Sequence, residues 1–123
     1  SWSYAARETI AEICRIRQDP AEQTWRKKAT SVAESLRKGL WNEERGALFD
    51  RDRNGQTIPV LCHNTLRCMH WGSISARMAE RFVREHLLNA GEFWTPFPLP
   101  SVAQTIRHSA TRRRTTGAVS RKA

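Results

Sequence analysis

Residues 19 to 41 read Asp19-Pro20-Ala21-Glu22-Gln23-Thr24-Trp25-Arg26-Lys27-Lys28-Ala29-Thr30-Ser31-Val32-Ala33-Glu34-Ser35-Leu36-Arg37-Lys38-Gly39-Leu40-Trp41. The first four residues join a good N-cap side chain, a proline at the first helical position and a glutamate that can reach back to the cap. Behind them Trp25, Ala29, Val32, Leu36 and Leu40 recur at the three- and four-residue steps that line one helix face, and Arg26, Lys27, Lys28, Glu34 and Lys38 mostly face away. The spacing predicts an amphipathic helix ending near Trp41. A similar period upstream, with Ala6, Ile10, Ile13 and Cys14 inward, predicts another from about Trp2 to Arg17.

Downstream, Ile74, Met78, Phe82, Val83 and Leu87 predict a third helix from about Ser73 to Leu88, stopped by Asn89 and Gly91. Between the helices the period changes. Leu48-Phe49-Asp50 and Thr57-Ile58-Pro59-Val60 read as short extended stretches around the turn chemistry of Asp52-Arg53-Asn54-Gly55, a small hairpin-like excursion near 47–61. The fold class is all-α.

The 123 residues are 39% apolar, enough for one modest core. No run approaches the roughly 20 apolar residues of a membrane span, so no membrane partner is expected. The three cysteines, Cys14, Cys62 and Cys68, are odd in number and unevenly spaced, which suits a reducing compartment and makes the cytoplasm the expected location. The net charge of +9 would suggest nucleic acid, but its distribution argues otherwise. Residues 104–123 carry six basic residues (Arg107, Arg112, Arg113, Arg114, Arg121 and Lys122) and no acid, which leaves 15 of the 21 basic residues against 12 acidic ones before them. That tail has no apolar period, is expected to be disordered, and is a region apart from 1–103.

Two motifs suggest metals, and both break down. Asp50, Asp52, Asn54 and Gly55 match the first half of a calcium loop, but Leu61 stands where its closing glutamate belongs and Pro59 interrupts it. Cys62, His63, Cys68, His70 and His86 are zinc-ligand types without a Cys-x-x-Cys pair or a second dense pair. Neither a metal nor another cofactor is expected, and a Cys-His catalytic pair has no support in the spacing.

The segment Glu92-Phe93-Trp94-Thr95-Pro96-Phe97-Pro98-Leu99-Pro100-Ser101-Val102-Ala103 carries three prolines that forbid a helix interior or a central strand. Its aromatic side chains must therefore stand on a stiff, extended loop, suited to stacking on sugar rings or on a partner's prolines, or else to packing over helix ends.

Leu40-Trp41-Asn42-Glu43-Glu44-Arg45-Gly46, then Phe49-Asp50-Arg51-Asp52, His63-Asn64-Thr65-Leu66-Arg67-Cys68-Met69, Glu85-His86-Leu87-Leu88-Asn89 and the loop 92–103 follow in an order that resembles glycoside hydrolases similar to mannosylglycerate hydrolase and family 63 glucosidases. The resemblance covers roughly residues 20–103, and its final motif is the specific one. It implies helical hairpins of an (α/α)6 toroid over 1–103, hydrolysis of α-glycosidic bonds in oligosaccharides or small glycosides with inversion, and a pair of carboxylates acting without metal. It places the general acid upstream of this chain and the base downstream, so none of Asp50, Asp52, Glu85 and Glu92 is assigned catalysis. It makes Trp94, Thr95 and Phe97 substrate-side candidates, with His63, Asn64 and Arg67 beside them, and carbohydrate the partner of the full-length enzyme.

After Ala103 the pattern is lost. Read two bases later, with the last base of each codon joined to the first two of the next, the codons from Gln104 onward can spell Asn-Asp-Pro-Pro-Phe, and those from Thr115 to Ala123 can spell Asn-Trp-Ser-Gly-Gln-Pro-Gln-Gly, both of which resemble the family's continuation. The expectation is a fragment of an enzyme, inactive alone, with an out-of-frame tail. Two other readings stay open: a nucleic-acid-binding helical module using the basic tail, and a helical protein-interaction module using the proline loop. The sequence does not fix the oligomeric state.

Overall fold

The computed structural model describes residues 1–104. It is mostly helical, with one small antiparallel sheet. Helices α1 (Trp2–Ile16) and α2 (Glu22–Leu40) pack along each other as a hairpin. The buried residues of the two helices are small, Ala11 and Cys14 on α1 and Ala29 and Ala33 on α2, which suits a close approach of the two backbones. Arg26 spans the pair, reaching Glu22, Glu8 and Glu12 at 2.9, 3.3 and 3.5 Å.

Two details differ from the sequence reading. The inward face of α1 is rotated: Ile13 is 50% exposed, Ile10 and Ala6 are also exposed, and burial falls on Ala11 and Cys14. The apolar stripe of α1 is wider than its contact with α2, so periodicity marked the stripe without marking its centre. Helix α2 also starts later than the Asp19-Pro20 cap implies. Asp19 Oδ1 accepts the Ala21 N–H at 2.8 Å, a local turn that competes with capping, and Ala21 precedes the helix with no side-chain cap.

Helix α2 runs directly into β1 (Trp41–Asn42), which pairs with β2 (Ala47–Leu48), Trp41 opposite Leu48. The excursion is thus two successive turns. Leu48 pairs back to Trp41, and the Asp52–Gly55 turn is closed separately by Arg51 opposite Thr57. Asn42 decides this: its Oδ1 accepts the Arg45 N–H at 2.8 Å and its carbonyl accepts the Gly46 N–H at 2.9 Å.

Helix α3 (Asn64–His70), which the sequence reading did not contain, is too short for periodicity to detect. Helix α4 (Ala76–Phe82), capped by Ser75 Oγ accepting the Met78 N–H, continues into a π-helical turn, Val83–Leu87, where a single helix over 73–88 was expected. One core cluster joins Ala47, Phe49, Leu61, Phe82, Phe93 and Ala103, and a second joins Leu48, Cys68 and Ile74 to Leu36, Leu40 and Trp41. Residues 105–123, on which the expectation of a disordered tail rests, lie outside the described residues.

Candidate functional site

The loop 92–103 is held at three places. At its start the Asn89 carbonyl accepts the N–H groups of Glu92, Phe93 and Trp94 at 3.0, 3.1 and 3.0 Å, and Asn89 Oδ1 accepts that of Gly91 at 2.9 Å. Phe93 then turns inward, 1% exposed, its ring 5.9 Å from that of Phe82. At the far end the Ser101 carbonyl accepts the His63 N–H at 3.1 Å, Ala103 N–H donates to the Leu61 carbonyl at 2.9 Å, and Cys62 lies opposite Val102.

Between these anchors the chain bulges outward. The Leu99 N–H returns to the Phe93 carbonyl at 3.0 Å, and Leu99, between two prolines, adopts a positive φ of 64°, an uncommon conformation for a side chain branched at Cγ. The bulge leaves Trp94 52% and Phe97 90% exposed. Thr95 Oγ1 donates to the Phe97 carbonyl at 2.6 Å. Thr95, Pro96, Phe97, Leu99, Pro100, Ser101 and Gln104 line an open cavity of about 660 Å³. Stiff backbone and exposed aromatic faces give a surface for a ring that is apolar on its faces and polar at its rim.

The other candidates divide. His63 belongs to the loop's far anchor, its Nδ1 3.1 Å from the Ser101 carbonyl oxygen. Asn64 and Arg67, on α3, line a different cavity of about 210 Å³ together with Asp50, Trp2, Trp71, Leu36, Leu40 and Leu48. There Asn64 Nδ2 donates to Asp50 Oδ2 at 3.2 Å. The structure therefore brings Thr95 and Phe97 to one cavity and Asn64 and Arg67 to another, with His63, next to Asn64 on the chain, set against Ser101 of the first. Trp94 lines neither.

Trp71 was not singled out from the sequence. Its ring lies 5.8 Å from that of Trp2 and 4.9 Å from that of His70. It follows α3, and since that helix was not recognised nothing placed Trp71 beside Arg67. His86 and Glu92 were also passed over as a pair, six residues apart and joined only through the π-helical turn.

The carboxylates and metal-ligand types have other partners. Asp52 Oδ1 accepts the N–H groups of Asn54 and Gln56 at 2.8 and 2.9 Å, turn chemistry of the expected kind. Glu43 lies under a bidentate Arg77, at 2.8 and 3.2 Å, and accepts the Trp41 indole N–H at 2.6 Å. These bonds, Arg77 first and the indole second, bring its carboxyl down to about 2. Arg81, bonded to Glu85 at 2.9 Å, lowers that carboxyl as well. Both shifts are opposite to what a general acid needs. Burial, and behind it the charge of Asp50, pushes the Cys62 thiol up, away from the thiolate a nucleophile requires.

Among the described residues no helix is long and apolar enough to cross a membrane. No curated protein matches the chain closely enough to count as a relative. A family model does: that of the mannosylglycerate hydrolase MGH1-like glycoside hydrolase domain matches residues 1–118, taking in α1 ahead of the recognised motifs and running on past Ala103. The chain belongs to this family of glycoside hydrolase domains.

Proposed function

We propose that the chain carries one wall of the sugar site of an inverting α-glycosidase, with the catalytic carboxylate pair in other segments of the enzyme. The observation that supports this most is the loop 92–103, pinned by Asn89, Phe93 and Leu61 so that Trp94 and Phe97 stay exposed. Exposing two aromatics on a fixed backbone forgoes apolar burial, and a stacking ligand is what that exposure serves. Asn64 and Arg67 are the second group of sugar-side residues, around the smaller cavity. Inverting hydrolysis needs two carboxylates about 6.5 to 9.5 Å apart, one of them with a raised pKa. Glu43 and Glu85 are instead lowered by arginines.

Titration of the labelled chain with methyl α-D-mannopyranoside and methyl α-D-glucopyranoside tests the reading. The Trp94 indole resonance should move with at least one of them, and Trp94→Ala should weaken that binding several-fold. Hydrolysis of an aryl α-glycoside by this chain alone would place a catalytic pair within it and overturn the division of labour.

Residues 104–123 are, on the same reading, translated out of frame. The family match extends to residue 118, over part of this stretch, so the encoding DNA is the deciding observation. Third bases that forbid the shifted Asn and Trp codons would sink the frameshift.

A further inference from the structure

We propose that His86, together with Glu92, is a positioning residue that fixes the loop 92–103 against the β1–β2 turn; as a statement about a sugar site it rests on the glycosidase reading. His86 Nδ1 lies 2.7 Å from Glu92 Oε2 and its Nε2 lies 2.6 Å from the Arg45 carbonyl oxygen. Side chains that far enclosed, 12% and 19% exposed, cannot exchange these partners freely for water. Both ring nitrogens face acceptors, and only an imidazolium donates at both. The ring therefore joins three elements: the π-helical turn that carries it, the β1–β2 turn through Arg45, and the start of the loop through Glu92.

The π-helical turn makes this reach possible. Its Leu88 N–H bonds five residues back, to the Val83 carbonyl at 3.1 Å, so the backbone widens where His86 must turn toward the loop. The Phe82 ring packs against the imidazole at 5.7 Å and against Phe93 at 5.9 Å, which limits the rotamers of His86. Glu92 also closes the loop on itself: its N–H donates to the Asn89 carbonyl at 3.0 Å and its carbonyl accepts the Gln104 N–H at 3.1 Å. A tilt at Glu92 would thus be passed to Trp94, two residues on, and to the loop's far end.

The test uses the whole chain with His86→Gln, Glu92→Gln and the double variant, read by amide hydrogen exchange. The Trp94 and Leu99 amides, bonded to the Asn89 and Phe93 carbonyls, report the loop. The Ala29 and Ala33 amides in α2 report the fold. Each single variant should speed exchange at Trp94 and Leu99 about tenfold or more, as loss of a charge-assisted bond implies. The α2 amides should stay unchanged, and the double variant should add little. Unchanged loop exchange, or an equal rise in α2 with both variants, would overturn the proposal. Methyl α-D-mannopyranoside separates the two readings. If it moves Trp94 in the parent chain and equally in His86→Gln, the positioning role falls and the sugar site stands. If the variants free the loop but neither methyl α-D-mannopyranoside nor methyl α-D-glucopyranoside moves Trp94 in the parent, the sugar site falls and the clamp stands.

Discussion

Gly46 closes the β1–β2 turn at a φ of +63°, and a Cβ built there would lie 2.6 Å from Glu85 Oε2 and 2.9 Å from Arg81 Nε. Those atoms are the ends of long side chains, but Arg81 Nε donates to the other carboxylate oxygen, Glu85 Oε1, and Arg81 also donates to the Glu43 and Glu44 carbonyls, so moving aside breaks other bonds. Gly46→Ala should therefore destabilise the chain by about 1 to 3 kcal/mol, measured as a lowered urea midpoint at constant slope. Phe93 is the other residue with a large single effect. Of the loop's three aromatics, which the sequence leaves open between stacking on a ligand and packing over helix ends, it alone is buried, against Phe82, and Trp94 and Phe97 remain outside. Three prolines showed that the segment is an extended loop; they could not show which ring turns inward, because that depends on the α4 surface. Phe93→Ala should cost about 3 to 5 kcal/mol by the same denaturation measurement. A loss below 1 kcal/mol would mean that the ring is not part of the core.

At the scale of elements, the joint between the β1–β2 turn and α4 is ionic and responds to acid. The Glu43 carboxyl stands at about 2 in the folded chain against an ordinary 4.5, chiefly through Arg77 and then the Trp41 indole. A depressed folded value favours the fold while the group is ionised. The contribution is present above about pH 4.5 and is lost as pH falls toward about 2. Glu43 is 61% exposed, so the effect is screened by salt. Urea midpoints taken at low ionic strength should fall across this window more in the parent than in Glu43→Gln. Equal pH dependence would show that the carboxylate adds nothing. The same joint shows why the excursion was read only in part. Asp52–Gly55 was recognised from turn residues, but the pairing of Trp41 with Leu48 depends on bonds from Asn42 to residues three and four positions on, and no alternating pattern announces a strand of two residues.

For the whole molecule, the unmet apolar surface of α1 dominates. Trp2, Ile13 and Ile16 are 73%, 50% and 68% exposed, with Ile10 beside them, although periodicity marks this face as one that would be buried. Such a face should make the isolated chain bind hydrophobic dye and self-associate. Ile13→Lys with Ile16→Lys should reduce both, as measured by dye fluorescence and sedimentation. A sharp, cooperative thermal transition in a dye-free monomer of the parent chain would contradict the expectation.

The sequence by itself determined the helical hairpin, the α4 stretch, the stiffness of the proline loop and, through motif order, the glycoside hydrolase family, because these depend on local steric rules and on residues adjacent in the chain. Tertiary structure alone decided the rest. It rotated the inward face of α1, formed α3, split the candidate residues between two cavities and joined His86 to Glu92 and Arg45. Each of these turns on which surfaces meet across the fold, a property that no period of 3.6 residues and no spacing along the chain contains.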